Sequence, residues 1–296
     1  MMSLRDVLVS LCEKVYCPEG ARLNTSIFKD SEKGLIDFSR KNRLEHYLAL
    51  EYPDLNLKEP VSEYESYKDK LVNSLRWLKK LLGDEKFLII KTFSAFPHLT
   101  SDLDVLLKDT KFISRARKEA AKLKKEEFLA IDISTEVSWG GAHAVSNDFI
   151  WKNTRDFRFE GISLLIPDSV LDTLIRLAHI PFELAEIRLG ELLHMYKQIS
   201  LFDHALLREE AERMGWPRTF ERVWRIFEAL HRSLYKMPLA AGSKPDKVIA
   251  VPDFPFALPY FLLAQAVVEK RAWGKLAGAR FIIKDRIIEW RQKNFR

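Results

Sequence analysis

"KTFSAFPHLTSDLDVLLKD" (Lys91–Asp109) sets Asp102 and Asp104 one residue apart, between a polar turn and an apolar run. Just upstream, "KFLII" (86–90) is a short, continuous apolar run, the pattern of a strand buried on both faces. Residues i and i+2 of a strand face the same side. The two carboxylates therefore project together, about 7 Å apart along the strand. Two such charges resist joint ionisation unless a cation lies between them. Two readings follow: a polar turn leading into an edge strand, or a site for a hard divalent ion with oxygen ligands.

The following sequence supplies a third carboxylate. "FISRARKEAAKLKKEE" (112–127) has helical spacing, with Ile113, Ala116, Ala120 and Leu123 on its apolar side. "FLAIDISTEVSW" (128–139) returns to strand character and carries Asp132 between Ile131 and Ile133. An unpaired aspartate there costs several kcal/mol. If this strand lies beside "DLDVLL", Asp132 reaches the same ions as Asp102 and Asp104. Three carboxylates on two neighbouring strands are the equipment of two-metal phosphoryl transfer. "FRFEGISLLIP" (157–167) then reads as a hairpin turning at Gly161.

Helical patterns flank this core. Upstream they cover Leu4–Tyr16, Arg40–Glu51 and Tyr64–Leu82, with Pro53 and Pro60 bracketing a loop and Gly83-Asp84 as a stop. Downstream, Asp168 or Ser169 can cap "VLDTLIRLAHI", and Pro181 opens "FELAEIRLGELLHMYKQI". "FDHALLREEAERMG", "PRTFERVWRIFEALHRSLY", Pro259–Leu276 and Ala279–Lys293 continue the helical half. The expected fold is α+β: a small mixed-sheet core at 84–167, an N-terminal helical segment at 1–83 and a C-terminal helical domain at 168–296.

The chain has 296 residues, 47% hydrophobic and 30% charged, as expected of a soluble globular protein. Phe254–Val268 is too short to span a bilayer and contains Pro255 and Pro259. Asp6 and Glu13 make the N-terminus an amphipathic helix, so a cytoplasmic protein is expected, with Cys12 and Cys17 as reduced, buried thiols. Net charge is +6, yet residues 270–296 alone set nine basic residues against Asp285 and Glu289, a net of +7. Interleaved Trp273, Phe281, Trp290 and Phe295 make this segment either a nucleic-acid footprint or a solvated basic face. Scarce Gln beside abundant Lys, Arg and Glu suggests a thermophile.

The order strand, turn, "SDLDVLL", helix, "AIDIS" resembles the catalytic core of the DNA polymerase β-type nucleotidyltransferase superfamily. More narrowly, it resembles the nucleotidyltransferases related to AbiEii-type toxins, with their Lys-Gly turn, "sDlDlLv" segment and "vDlH"-like strand. The likeness covers roughly 85–235. It implies that Asp102 and Asp104 bind two Mg²⁺ ions, that Asp132 is the third ligand on the acceptor side, and that an NTP is the substrate. Lys91, Thr92, Ser94 and Ser101 are then candidate triphosphate contacts. The turn departs from the family pattern: it has no glycine, and Thr92 stands about where the family has one. RNA or tRNA is the expected acceptor. The alternatives are a catalytically weakened fold that binds RNA or protein, and a toxin-like enzyme acting on a protein or small molecule. His98 reads as a surface turn residue or a phosphate contact. His179 and His194 read as packing or polar residues, and Gly140-Gly141 as a plain turn or a loop at the site mouth.

Overall fold

A computed structural model describes residues 8–11, 13, 32–139, 142–184, 186–198, 204–235, 256–258 and 269. Cys12, Cys17, Gly140, Gly141 and the basic segment 270–296 lie outside the described residues, as do nearly all of the helices expected over 259–276 and 279–293.

The fold is α+β, built on a mixed five-stranded sheet. Its strands are β1 (Phe87–Ile90), β2 (Asp102–Leu107), β3 (Ala130–Ser134), β6 (Thr154–Phe159) and β7 (Ile162–Pro167). They run in the order β3-β2-β1-β7-β6. β1 pairs antiparallel with β2 and parallel with β7, and β2 pairs parallel with β3. A separate hairpin joins β4 (Val137–Trp139) to β5 (Ala142–Val145). The strand expected over 128–139 is therefore two strands in two sheets, broken after Ser134.

Alternation along β1 sorts its side chains between two cores. Phe87 and Ile89 join Leu103, Val105 and Leu107 on one face. The helices there are α3 (Lys58–Leu82) and α4 (Ile113–Ala120). From α3, Leu71, Leu75 and Leu78 come down at helical spacing, and α4 adds Ala116. Leu88, Ile90 and Leu106 face the other way, into a larger core with α6 (Ser169–His179), α7 (Leu189–Gln198) and α9 (Pro217–Tyr235). All four residues of β1 are buried, as its unbroken apolar run predicts. The larger core joins Leu8 and Leu48, from the N-terminal part, to Leu174 and Trp216. Packing is thus continuous across positions 83/84 and 167/168.

Several expected helices are shorter or interrupted. The segment at Arg40–Glu51 divides into the end of α1 (Glu32–Lys41) and α2 (Glu45–Glu51), because Arg43 takes a left-handed backbone at φ 58°. α3 starts at Lys58 and includes Pro60, which is tolerated there because first-turn N–H groups have no intrahelical acceptor. Beyond Pro181 the chain forms a π-type turn (Ile180–Leu184), then the short strand β8 (Glu186–Ile187), which pairs with β9 (Phe256–Ala257). α7 begins only at Leu189. The remaining helices are α5 (Asn147–Lys152) and α8 (His204–Arg213). Among the described residues no helix is long and apolar enough to cross a membrane.

Candidate active site

The parallel pairing of β2 with β3 sets Asp104 directly beside Asp132, and Asp102 beside Ala130. Neighbouring strands lie about 4.8 Å apart, so the side chains of Asp104 and Asp132 are next to each other. All three aspartates line one cavity of about 280 Å³, together with Lys91 and Ser101. Arg176, His179, Glu183 and Glu191 of the helical half also line this cavity, with Arg43 from the N-terminal part and Trp139 beside them.

Asp104 carries the electrostatic strain of the group. Burial, then the neighbouring Asp102 and Asp132, push its carboxyl up to about 6, while Lys91 opposes the shift. Lys91 Nζ lies 3.1 Å from Asp104 Oδ2, with both side chains largely buried. The same ammonium sits 5.8 Å from the centre of the Trp139 ring. Ser101 donates its hydroxyl to Asp102 at 2.9 Å.

Lys91 ends β1 in an unusual conformation. Its φ is 59°, and the Thr92 amide donates to the Ile90 carbonyl at 2.7 Å. That pairing closes a γ-turn with positive φ at its centre, the rare and strained form. The left-handed residue is Lys91, so the position in this turn most suited to glycine is Lys91 and not Thr92. Thr92 is buried, and its hydroxyl donates to the Ile90 carbonyl at 3.2 Å. Thr92 and Ser94 line a second, larger cavity of about 670 Å³ on the other side of the turn; Lys91 borders both. Of the sequence-derived candidates, Asp102, Asp104, Asp132, Lys91 and Ser101 meet in one place, and Thr92 and Ser94 do not.

The loop after Lys91 is braced from the helical half by residues that have no local motif. Asp172 accepts from Arg176 Nε at 2.9 Å and from His194 Nε2 at 2.6 Å. Arg176 also donates to the Phe93 carbonyl at 3.1 Å, and the Ala95 amide donates to His194 Nδ1 at 2.9 Å. With Nδ1 accepting, the His194 proton is on Nε2, pointing at Asp172. Burial and the Arg176 charge hold this imidazole below its ordinary pKa, so it is neutral. Burial opposes ionisation of Asp172, but Arg176 and His194 outweigh it and keep the carboxyl well below the usual range. The i, i+4 spacing of Asp172 and Arg176 was visible in the sequence; their link to a loop about 80 residues away was not. His98 is buried rather than on the surface, its Nδ1–H donating to the Phe96 carbonyl at 3.1 Å. Burial and nearby Arg176 and Arg43 push its pKa down to about 3.

In the helical half, His179 Nε2 lies 2.8 Å from Glu183 and its ring stacks on Trp139 at 5.3 Å. The hydrogen bond from His179 holds Glu183 down at about 2. The aspartate oxygens are a hard donor set that suits Mg²⁺. Among the described residues no three His, Cys, Asp or Glu side chains are close enough together to hold one ion as they stand. Lys91 takes one side of Asp104 instead. The half-buried Asp104 carboxylate, already beside an ammonium, fits such an ion provided Lys91 yields its place. Asp132 is exposed, because β3 is an edge strand, so it does not carry the desolvation cost expected of an aspartate in a buried strand. No protein-family model, curated protein or solved structure matches the chain.

Proposed function

We propose that the chain is a Mg²⁺-dependent nucleotidyltransferase that moves a nucleoside monophosphate from an NTP to a hydroxyl and releases pyrophosphate. The observation that carries this reading is the parallel register of Asp104 on Asp132, with Asp102 on the same face of the same strand. Asp102 and Asp104 would hold two Mg²⁺ ions, with Asp132 as the third ligand. Ions bound there supply charge neutralisation for the triphosphate and a lower pKa for the attacking hydroxyl. Asp132 orients that hydroxyl and accepts its proton. Lys91, released from Asp104, turns its ammonium to the phosphate chain, and Ser101 fixes the Asp102 carboxylate. The stack of Trp139 on His179 shields one side of the cavity from water. The basic segment 270–296 favours an RNA end, tRNA included, as acceptor.

A second reading has its own support. The Lys91–Asp104 ion pair and the glycine-free, strained turn suit a fold that has lost catalysis and binds RNA or protein. Incubation with each α-labelled NTP, Mg²⁺ and total RNA separates the two. Label on RNA that disappears in the Asp102→Ala/Asp104→Ala double variant is the expected result. RNA binding without any transfer overturns the enzymatic reading. Label on protein or a small molecule keeps the chemistry and replaces the acceptor by a toxin-like target.

A further inference from the structure

The second cavity differs from the carboxylate site in character. Three elements turn one face each toward it, at the spacing their geometry requires. The edge strand β6 presents Arg155, Phe157 and Phe159, two residues apart. α3 presents Tyr64, Tyr67, Lys68 and Leu71, one helical stripe. α7 adds His194, Lys197 and Gln198. The rings are already grouped: Phe93 lies 4.7 Å from Phe157 and 5.3 Å from Phe159, and Tyr64 and Tyr67 are 6.2 Å apart.

Its charged groups divide into spent and available. Asp168 caps α6 by accepting from the Leu171 amide, Asp172 is held by Arg176 and His194, and Lys68 is paired with Glu160 at 2.8 Å. Arg155 and Lys197 are exposed, and neither has a carboxylate partner among the described residues. The Arg155 guanidinium stands 5.8 Å from the Phe157 ring centre, so a cation and an aromatic surface are offered together. The volume of about 670 Å³ lies in the range of small-molecule sites, which pair aromatic walls with a few polar groups.

We propose that this cavity binds a small aromatic anion, a planar ring system bearing a phosphate or carboxylate. The ring stacks on the Phe93–Phe157–Phe159 group and the anion meets Arg155 and Lys197. The site does not depend on nucleotidyl transfer, and its ligand lies across the Lys91 turn from the aspartates.

Calorimetric titration of the full chain in EDTA tests it, with adenosine monophosphate and 4-hydroxybenzoate as whole probes and adenosine and inorganic phosphate as half-probes. At least one whole probe binds about tenfold more tightly than either half-probe, and the arm that does so distinguishes a nucleotide from a simple aromatic acid. Arg155→Gln and Lys197→Gln alter exposed side chains, so the fold survives, and each weakens binding by about tenfold. Asp132→Asn, in the other cavity, leaves it unchanged. No binding of either whole probe at millimolar concentration overturns the proposal. So does binding that survives both charge removals, or that is lost in Asp132→Asn.

Discussion

Asp104 is the residue on which burial, repulsion and ion pairing meet. Its folded pKa of about 6 exceeds the ordinary carboxylate value of 3.8, so the folded state holds the proton more tightly than the unfolded chain does. Its contribution to stability is present in full below about pH 4 and is lost as pH rises through about 6. Asp104→Asn, which cannot ionise, should therefore stabilise the metal-free protein by about 1–2 kcal/mol at pH 7.5, an effect that vanishes near pH 4. Denaturant melts at the two pH values measure it. A variant less stable than wild type at pH 7.5 would mean that the Lys91 ion pair outweighs burial and repulsion. The same shift makes cation binding proton-linked, with affinity falling as pH drops through about 6.

At the scale of elements, two braces tie distant segments to each other. Asp172 neutralises Arg176, which in turn grips the loop between β1 and β2. Asp172→Ala leaves a buried guanidinium without its anion and should cost about 3 kcal/mol. Hydrogen exchange at the Ala95 amide, which donates to His194, should accelerate in that variant more than exchange in β1. A second brace lies where α7 starts. The Leu189 amide donates to Asn42 Oδ1 at 2.9 Å, and a Cβ at Gly190 would meet the Asn42 carbonyl at 2.6 Å. Gly190→Ala must push that backbone aside and should destabilise by about 1–3 kcal/mol, read by thermal melting. These braces explain what the sequence could and could not convey. β1 was legible from an unbroken apolar run, the hairpin from Gly161 at φ 78°, and the end of α3 from Gly83 at φ 60°. Local periodicity carried all three. The break at Asn42-Arg43 and the unwinding after Pro181 were not legible, because packing between distant segments decides them. That Asp102 and Asp104 share a face was legible because strand alternation is local; the register that sets Asp132 beside Asp104 is a contact between distant segments and was only conditional in the sequence. The separation of Thr92 and Ser94 from the aspartates depends on one γ-turn at Lys91, which composition does not reveal.

For the whole molecule, the decisive fact is that one core runs from Leu8 through Leu88 and Ile90 to Trp216. Among the described residues, this core draws on all three of the segments expected from the sequence. Calorimetry of the full chain should show a single unfolding transition over this shared core. Two resolved transitions would mean that the helical half melts independently of the sheet. The same integration brings Arg43 from the N-terminal part and Arg176 and His179 from the helical half to a cavity that the sheet lines with its three aspartates. Everything proposed for that cavity rests on whether its three aspartates act together on cations. Titration of the full chain with Mn²⁺ beside a non-hydrolysable NTP analogue, followed by electron paramagnetic resonance, addresses this directly. Saturable binding of two ions that is lost in both Asp104→Asn and Asp132→Asn is the predicted result. No saturable binding, or binding unchanged in both variants, would contradict it.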